Sequence, residues 1–171
     1  MRGLLPEFRR YLLAATLLLP APGVFAVDCP LDTNPACASA IDLGTISGDS
    51  GTPVITKSGL GEAFYLVHIR ESLSSLRTLN ARIQLQVPTG ADYDLFVRCY
   101  SCANAATRGS TAIGSVVELV NVSRADTSFA DQSFVIAIEI RYYSGTSCGA
   151  WTLSVSGNTT AAAGTPALAC P

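Results

Sequence analysis

Alternation of apolar and polar residues is the feature of this sequence that most limits its fold. In residues 81–87 every second side chain is apolar, with arginine or glutamine between, and residues 134–141 carry isoleucine and phenylalanine with the same period. A period of two places one set of side chains on one face of a β-strand. We predict eight strands, over residues 41–46, 51–56, 63–70, 81–87, 93–100, 115–122, 134–141 and 150–156. Short strands separated by turn residues predict an all-β sandwich or barrel.

The first 26 residues have the composition of a secretory signal peptide. Three arginines precede an apolar run over 11–19, and cleavage after Ala26 would leave 145 of the 171 residues. The apolar run is short for a membrane span, which needs about 20 apolar residues. We therefore expect a secreted or periplasmic protein, with an N-terminal membrane anchor as the alternative.

Cleavage would also change the charge balance. It removes three arginines and one glutamate from 11 basic and 13 acidic residues, which leaves 8 and 12 and a net charge of about −4. No run of lysine or arginine remains, so we expect no nucleic-acid partner and no membrane partner. The rest of the chain divides into a disulfide-rich lead-in at 27–39, one β-sandwich domain at 40–158 and a low-complexity tail at 159–171, which is loose unless its cysteine is bridged.

The cysteines predict structural disulfides in an exported chain. They are Cys29, Cys37, Cys99, Cys102, Cys148 and Cys170. Sequence alone leaves their connectivity open; the most local arrangement pairs Cys29 with Cys37, Cys99 with Cys102, and Cys148 with Cys170. The alternative is a redox or zinc site at the C-x-x-C spacing of Cys99 and Cys102. We favour bridges, because residues 103–112 are predicted as a loop rather than a helix, and because His68 is the only histidine.

Several segments in a fixed order resemble the bacterial pre-peptidase C-terminal domain. They are Ala40–Gly48, Phe64–Val67, the D-Y-D-L-F-V strand at Asp92–Val97, and the closing pair Phe134–Gly145 and Trp151–Val155. The resemblance implies a jelly-roll-like antiparallel β-sandwich of about eight strands, similar to the collagen-binding modules of clostridial collagenases. It also implies a domain that binds and does not cleave.

Catalytic residues are not predicted. A serine hydrolase would have to use His68, and no G-x-S-x-G turn is present. Asp92 and Asp94 share one side of a strand, as a pair of glycosidase carboxylates would. We interpret them instead as a fold signature, whose carboxylates accept hydrogen bonds from loop amides and fix the turn after Gly90.

Aromatic side chains near strand ends are the candidates for ligand contacts. We predict a binding surface of Tyr100, Arg141 and Tyr143, whereas the strand parity of Trp151 places it in the core. No cofactor is expected.

Calcium is the alternative to that expectation, and the resemblance implies it. The oxygen donors near the start of the domain are Asp28, Asp32, Asn34 and Asp42.

The expected function is a secreted, non-catalytic module that binds an extracellular protein or polysaccharide. One alternative is a structural or maturation-associated accessory to a secreted peptidase, without a ligand of its own. A more distant alternative is a small secreted hydrolase.

Overall fold

The computed structural model describes residues 34–72, 76–104, 107–111, 113–114, 117–127, 130–147, 149–161 and 167–171. These residues form an all-β sandwich with one short 3₁₀ helix at Cys37–Ser39. The strands are β1 (Ile41–Ser47), β2 (Val54–Gly59), β3 (Ala63–Arg70), β4 (Leu79–Gln86), β5 (Ala91–Cys99), β6 (Thr107–Ser110), β7 (Val117–Arg124), β8 (Phe134–Gly145), β9 (Trp151–Gly157) and β10 (Ala167–Ala169). Within these ranges, no helix has the length and apolar character needed to cross a bilayer.

Two five-stranded sheets pack face to face. The first sheet has the order β1-β3-β8-β5-β6, and the second has the order β10-β7-β4-β9-β2. Among themselves, strands β2 to β9 pair in antiparallel fashion, and the chain changes sheet at every step among them except between β5 and β6. Eight such strands in two sheets form a jelly roll. The predicted fold class is therefore confirmed for this central unit.

Each sheet has one further strand that pairs in parallel, so both sheets are mixed rather than purely antiparallel. Strand β1 pairs in parallel with β3, and β10 pairs in parallel with β7, each at a sheet edge. The prediction of about eight antiparallel strands is corrected in this respect. Its strand limits also change: β6 lies inside the predicted loop 103–112, and β8 continues to Gly145, beyond the predicted end at residue 141.

The core lies between the sheets and follows the period-2 pattern. Every second residue of β3, β4 and β9 is buried, and the residue between is partly or fully exposed. Strand β5 follows the same rule, since Tyr93, Leu95 and Val97 are all inaccessible to solvent. Trp151 is fully buried as well, which confirms its predicted place in the core.

The disulfides join segments that are distant along the chain. Cys37 is bonded to Cys102 and Cys99 to Cys170, with sequence separations of 65 and 71 residues. The predicted local pairs of these four cysteines are therefore wrong, while Cys29 and Cys148 lie outside the described residues. Cys99 is fully buried between the sheets, whereas Cys102 lies on the loop that follows β5. Cys99 is thus bonded to the residue after β10, whereas Cys102 is bonded to the 3₁₀ helix before β1.

Strand β10 confirms that the tail is ordered where the chain is described. Its three residues pair with β7, and the amide of Cys170 donates a hydrogen bond to the carbonyl of Ser123 at 2.8 Å. We expected a loose tail unless Cys170 tied it down, and the bridge to Cys99 meets that condition.

Candidate functional site

Strand β5 has its two ends in different surroundings. Its last residue, Cys99, carries a disulfide, and its first residues lie beside the end of β8. The pairing of β5 with β8 shifts register between Asp92 and Tyr93, as in a β-bulge. Tyr93 stays in the core, while Asp94 lies opposite Arg141. Ser144 pairs with Asp92 and Tyr142 with Tyr93, so the extra residue of the bulge is Tyr143, while Asp92 and Asp94 share one side of β5 at the mouth of the strand.

Two adjoining hollows at this mouth share Asp92 and Ile113, and together we call them the Asp92 groove. The first hollow has a volume of about 180 Å³, and its lining residues are Asp92, Asp94, Thr111, Ile113 and Tyr143. The second has a volume of about 330 Å³ and is lined by the 88–91 turn, residues 113–114 and the end of β8 at Ser144 and Gly145. Polar and apolar groups thus meet in one concave surface.

The carboxylates of the groove have no partner within the described ranges. Asp92 is only 8% exposed, yet among the described residues neither its carboxylate nor that of Asp94 forms a hydrogen bond or an ion pair. The nearby amides of Thr146 and Ser147 lie 2.8 and 3.2 Å from the carbonyl oxygen of Gly90 and donate to it. The predicted hydrogen bonds from loop amides to the two aspartates are therefore not found among the described residues.

The glycine at the end of β8 allows this arrangement. A Cβ atom at Gly145 would lie 2.6 Å from the carbonyl oxygen of Gly90 and 2.7 Å from the Cα of Ala91, and the φ angle of Gly145 is 152°. Only glycine permits that backbone conformation and that approach without strain. The floor of the groove therefore depends on close backbone contact between β5 and β8.

The surroundings of Asp94 disfavour its charged form. Burial raises its pKa, the charges of Asp92 and Glu118 raise it further, and Arg141 lowers it. Ionisation of Asp94 therefore costs more free energy in the folded protein than in the unfolded chain.

We expect Asp94→Asn to stabilise the protein at pH 7. A raised folded-state pKa gives a stabilisation that is complete below the ordinary pKa of 3.8 and is lost as the pH rises through the folded-state value. The variant should therefore melt at a higher temperature than the wild type at pH 7 and at a nearly equal temperature near pH 3. Thermal unfolding monitored by circular dichroism at both pH values measures this. A lower melting temperature at pH 7 would show that the carboxylate stabilises the strand after all.

Arg141 is held by a charged network on the outer face of the first sheet. Its Nη2 and Nε lie 2.5 and 3.1 Å from Oε1 of Glu139, and its guanidinium lies 4.8 Å from the ring centroid of Phe96. The Oε2 atom of Glu139 lies 2.6 Å from Nη1 of Arg98. Glu139 is only 5% exposed, because these side chains cover it.

Of the three predicted ligand contacts, the structure separates Tyr100 from Arg141 and Tyr143. Tyr143 is 66% exposed and lines the Asp92 groove next to the strand position of Arg141. Tyr100 lies at the other end of β5, where its amide donates a hydrogen bond to Val135, at the start of β8. Eight residues of an extended strand separate Val135 from Tyr143, a distance of roughly 25 Å. A single compact ligand therefore does not touch both tyrosines.

Tyr100 itself packs against neighbours. Its ring makes an edge contact with Phe134 at a centroid distance of 6.5 Å, and the guanidinium of Arg124 lies 5.6 Å from its ring centroid. Its φ angle is 68°, and it is 38% exposed. These contacts account for the position of the Tyr100 ring without a ligand.

His68 lies on the outer face of the first sheet, beside β1. Its Nε2 atom is 3.0 Å from Oδ2 of Asp42, and the other oxygen of that carboxylate accepts a hydrogen bond from Gly44 at 2.8 Å. The Gly44 amide and His68 both lower the pKa of Asp42. Ser133 lines the same hollow of about 320 Å³ as His68, but its hydroxyl accepts a hydrogen bond from the amide of Glu71 at 2.9 Å. Among the described contacts, His68 thus pairs with a carboxylate, and the Ser133 hydroxyl is hydrogen-bonded to a backbone amide.

The predicted calcium donors fall in two groups. Asp28 and Asp32 lie outside the described residues. Asn34 is fully buried and its side-chain amide donates to the carbonyl of Phe64, while both oxygens of Asp42 are engaged as described above. Within the described ranges, no three histidine, cysteine or acidic side chains lie close enough together to hold a metal ion. The described donors therefore do not form a calcium site.

Comparison with known proteins adds no relative. No family model matches the chain, and no curated protein matches it. The resemblance to the pre-peptidase C-terminal domain remains a prediction.

Proposed function

We propose that this protein is a secreted, non-catalytic β-sandwich module that binds an extracellular polymer or protein partner through the Asp92 groove. One observation carries the proposal: Asp92, a residue that is 8% exposed, lines a concave surface and forms no hydrogen bond or ion pair within the described chain. Buried polar groups in folded proteins nearly always have a hydrogen-bond partner, because leaving one without a partner costs free energy. A bound ligand would supply the donors that Asp92 lacks.

Two exposed side chains support binding at the same place. Tyr143 is 66% exposed and Ile113 is 86% exposed, and both line the hollow beside Asp92. An exposed tyrosine ring offers a large contact area with little conformational entropy to lose, and such residues often contribute most of the binding free energy. The groove therefore combines an aromatic anchor with hydrogen-bond acceptors.

The shape of the Asp92 groove favours binding over catalysis. Its two hollows, of about 180 and 330 Å³, lie side by side as open depressions and do not form one pocket that encloses a small-molecule ligand. A glycosidase also needs room on both sides of its carboxylates for the sugar ring and the attacking group. A shallow groove of this kind suits a side chain or a chain segment that lies across the surface.

The proposal that the protein is secreted rests on two features of the chain. The first 26 residues have the pattern of a signal peptide, and the two described disulfides fit an oxidising compartment. A secreted peptidase is one candidate partner, since the resemblance names a domain that accompanies such enzymes.

The proposal is tested by retention of the purified protein on insoluble collagen, cellulose, chitin and bacterial cell-wall material. We expect retention on at least one of them, and we expect Tyr143→Ala to weaken it by about tenfold or more. Tyr100→Ala is the matched control, because it removes a partly exposed tyrosine that follows the end of β5 remote from the Asp92 groove. Circular dichroism shows whether both variants fold.

Two outcomes would contradict the proposal. Absence of retention on every material would favour a structural or maturation-associated role. Retention that Tyr100→Ala weakens as much as Tyr143→Ala would move the binding surface away from the Asp92 groove.

A further inference from the structure

We infer that the Asp92 groove takes a cationic side chain, lysine or arginine, presented by a protein partner. This inference rests on the proposed function and names the chemistry of its ligand. The carboxylates of Asp92 and Asp94 lie side by side, and in the described chain no cationic group forms an ion pair with either of them.

The neighbouring arginines do not neutralise the groove. Arg141 and Arg98 both bind Glu139, with N–O distances of 2.5 and 2.6 Å. Asp92, Asp94 and Glu139 are acidic, whereas only the two arginines are basic. These five side chains together carry one negative charge in excess. Glu118 adds a further negative charge that acts on Asp94. A ligand with a positive charge would restore the balance, and an anionic polymer would be repelled.

The apolar part of the groove suits a long basic side chain. Such a side chain has an aliphatic stem and a charged head, and it can bury the first while it presents the second. Ile113 offers an apolar surface for the stem, and the exposed ring of Tyr143 offers a cation–π contact to the head next to Asp92. Both halves of the ligand would thus find a matching surface.

A neutral sugar fits these observations less well. It could stack on Tyr143 and donate hydroxyl groups to the carboxylates. However, it would take water away from two like charges without compensating either, and burying an uncompensated charge is costly. The charges therefore favour a basic protein segment over a neutral polysaccharide.

The test uses hexalysine as the probe and its fully ε-acetylated form as the matched neutral peptide. Chitohexaose provides the sugar arm, and binding is followed by titration calorimetry and by backbone NMR shifts. We expect hexalysine to bind, to shift the amides of Asp92, Asp94 and Tyr143, and to bind more weakly as salt is raised. We expect each of Asp92→Asn and Asp94→Asn to weaken this binding by about tenfold or more.

Asp131→Asn is the control for net charge. It removes the same charge from an exposed residue that lines the hollow beside His68, away from the Asp92 groove. We expect it to change hexalysine binding by less than about twofold, as for an exposed charge screened by salt. An equal loss in all three variants would reveal diffuse attraction to an acidic protein and would overturn the inference.

Failure of the inference is distinguishable from failure of the proposed function. Equal binding of the acetylated peptide, or binding of chitohexaose with no binding of hexalysine, would overturn the cationic ligand while Tyr143-dependent retention on a polymer stands. If no probe binds while that retention persists, the cationic ligand is again overturned. If retention is also absent, both proposals fall.

Discussion

Replacing Cys99 and Cys170 together by serine is expected to lower the free energy of unfolding by about 4 kcal/mol. The bridge closes a loop with a sequence separation of 71 residues, and a cross-link of that span removes much conformational entropy from the unfolded chain. Cys99 is fully buried and Cys170 is 5% exposed, so the bridge also fills space between the sheets. It connects the end of β5 in the first sheet to the residue after β10 in the second.

Urea denaturation measures the global loss, and hydrogen exchange locates it. Strand β10 has three residues and pairs only with β7, so its amides should lose protection when the bridge is absent. The double variant Cys37→Ser with Cys102→Ser is the comparison, because its loop has a similar sequence separation of 65 residues. It should cost a similar free energy and leave β10 protected. A loss of less than about 1 kcal/mol in the first double variant, with β10 still protected, would contradict the expectation.

These bridges show which information the sequence lacks. The spacing of Cys99 and Cys102 suggested a local pair because proximity along the chain was the only guide. Closing a longer loop costs little more entropy than closing a short one, so proximity is a weak criterion. The partner of each cysteine depends on which segments the sandwich brings together, and that follows from the tertiary fold.

The long strands of the jelly roll were predictable for a physical reason. In β3, β4 and β9 one face is buried, and burial of one face requires alternating residues that can be read from the sequence. Strand β6 has only four residues and contains Gly109. A Cβ atom there would lie 2.8 Å from the ring of Phe96, so this glycine makes room for a side chain on the neighbouring strand. No sequence pattern within residues 107–110 predicts that contact.

The candidate site was predicted in part. Parity along one strand placed Asp92 and Asp94 on the same side, Tyr143 was predicted as a ligand contact, and all three line the groove. The sequence did not show that these two strands are neighbours, because β5 and β8 are separated by two others in the chain. Ile113 was missed entirely, since it lies between strands and carries no periodic signal.

Trp151→Ala is the substitution with the other large expected effect, a loss of about 3–5 kcal/mol in the free energy of unfolding. Trp151 is fully buried and meets Tyr65 edge to face, with a centroid distance of 6.1 Å. Its indole nitrogen donates a hydrogen bond to the carbonyl of Gly61 at 2.9 Å. The variant would therefore leave a large cavity and a buried carbonyl that has lost its donor.

The contacts of Trp151 continue toward the Asp92 groove. The amide of Gly61 donates to the hydroxyl of Tyr93 at 3.3 Å, and the ring of Tyr93 packs against Tyr142 with a centroid distance of 5.2 Å. Tyr142 precedes the groove residue Tyr143, so a disturbed core should also weaken ligand retention. Trp151→Phe is the control: it keeps an aromatic ring but not the indole donor, and we expect it to cost about 1–3 kcal/mol. Thermal and urea unfolding measure both variants. Equal losses in both would assign the effect to the hydrogen bond, whereas the expected larger loss in alanine assigns it to packing.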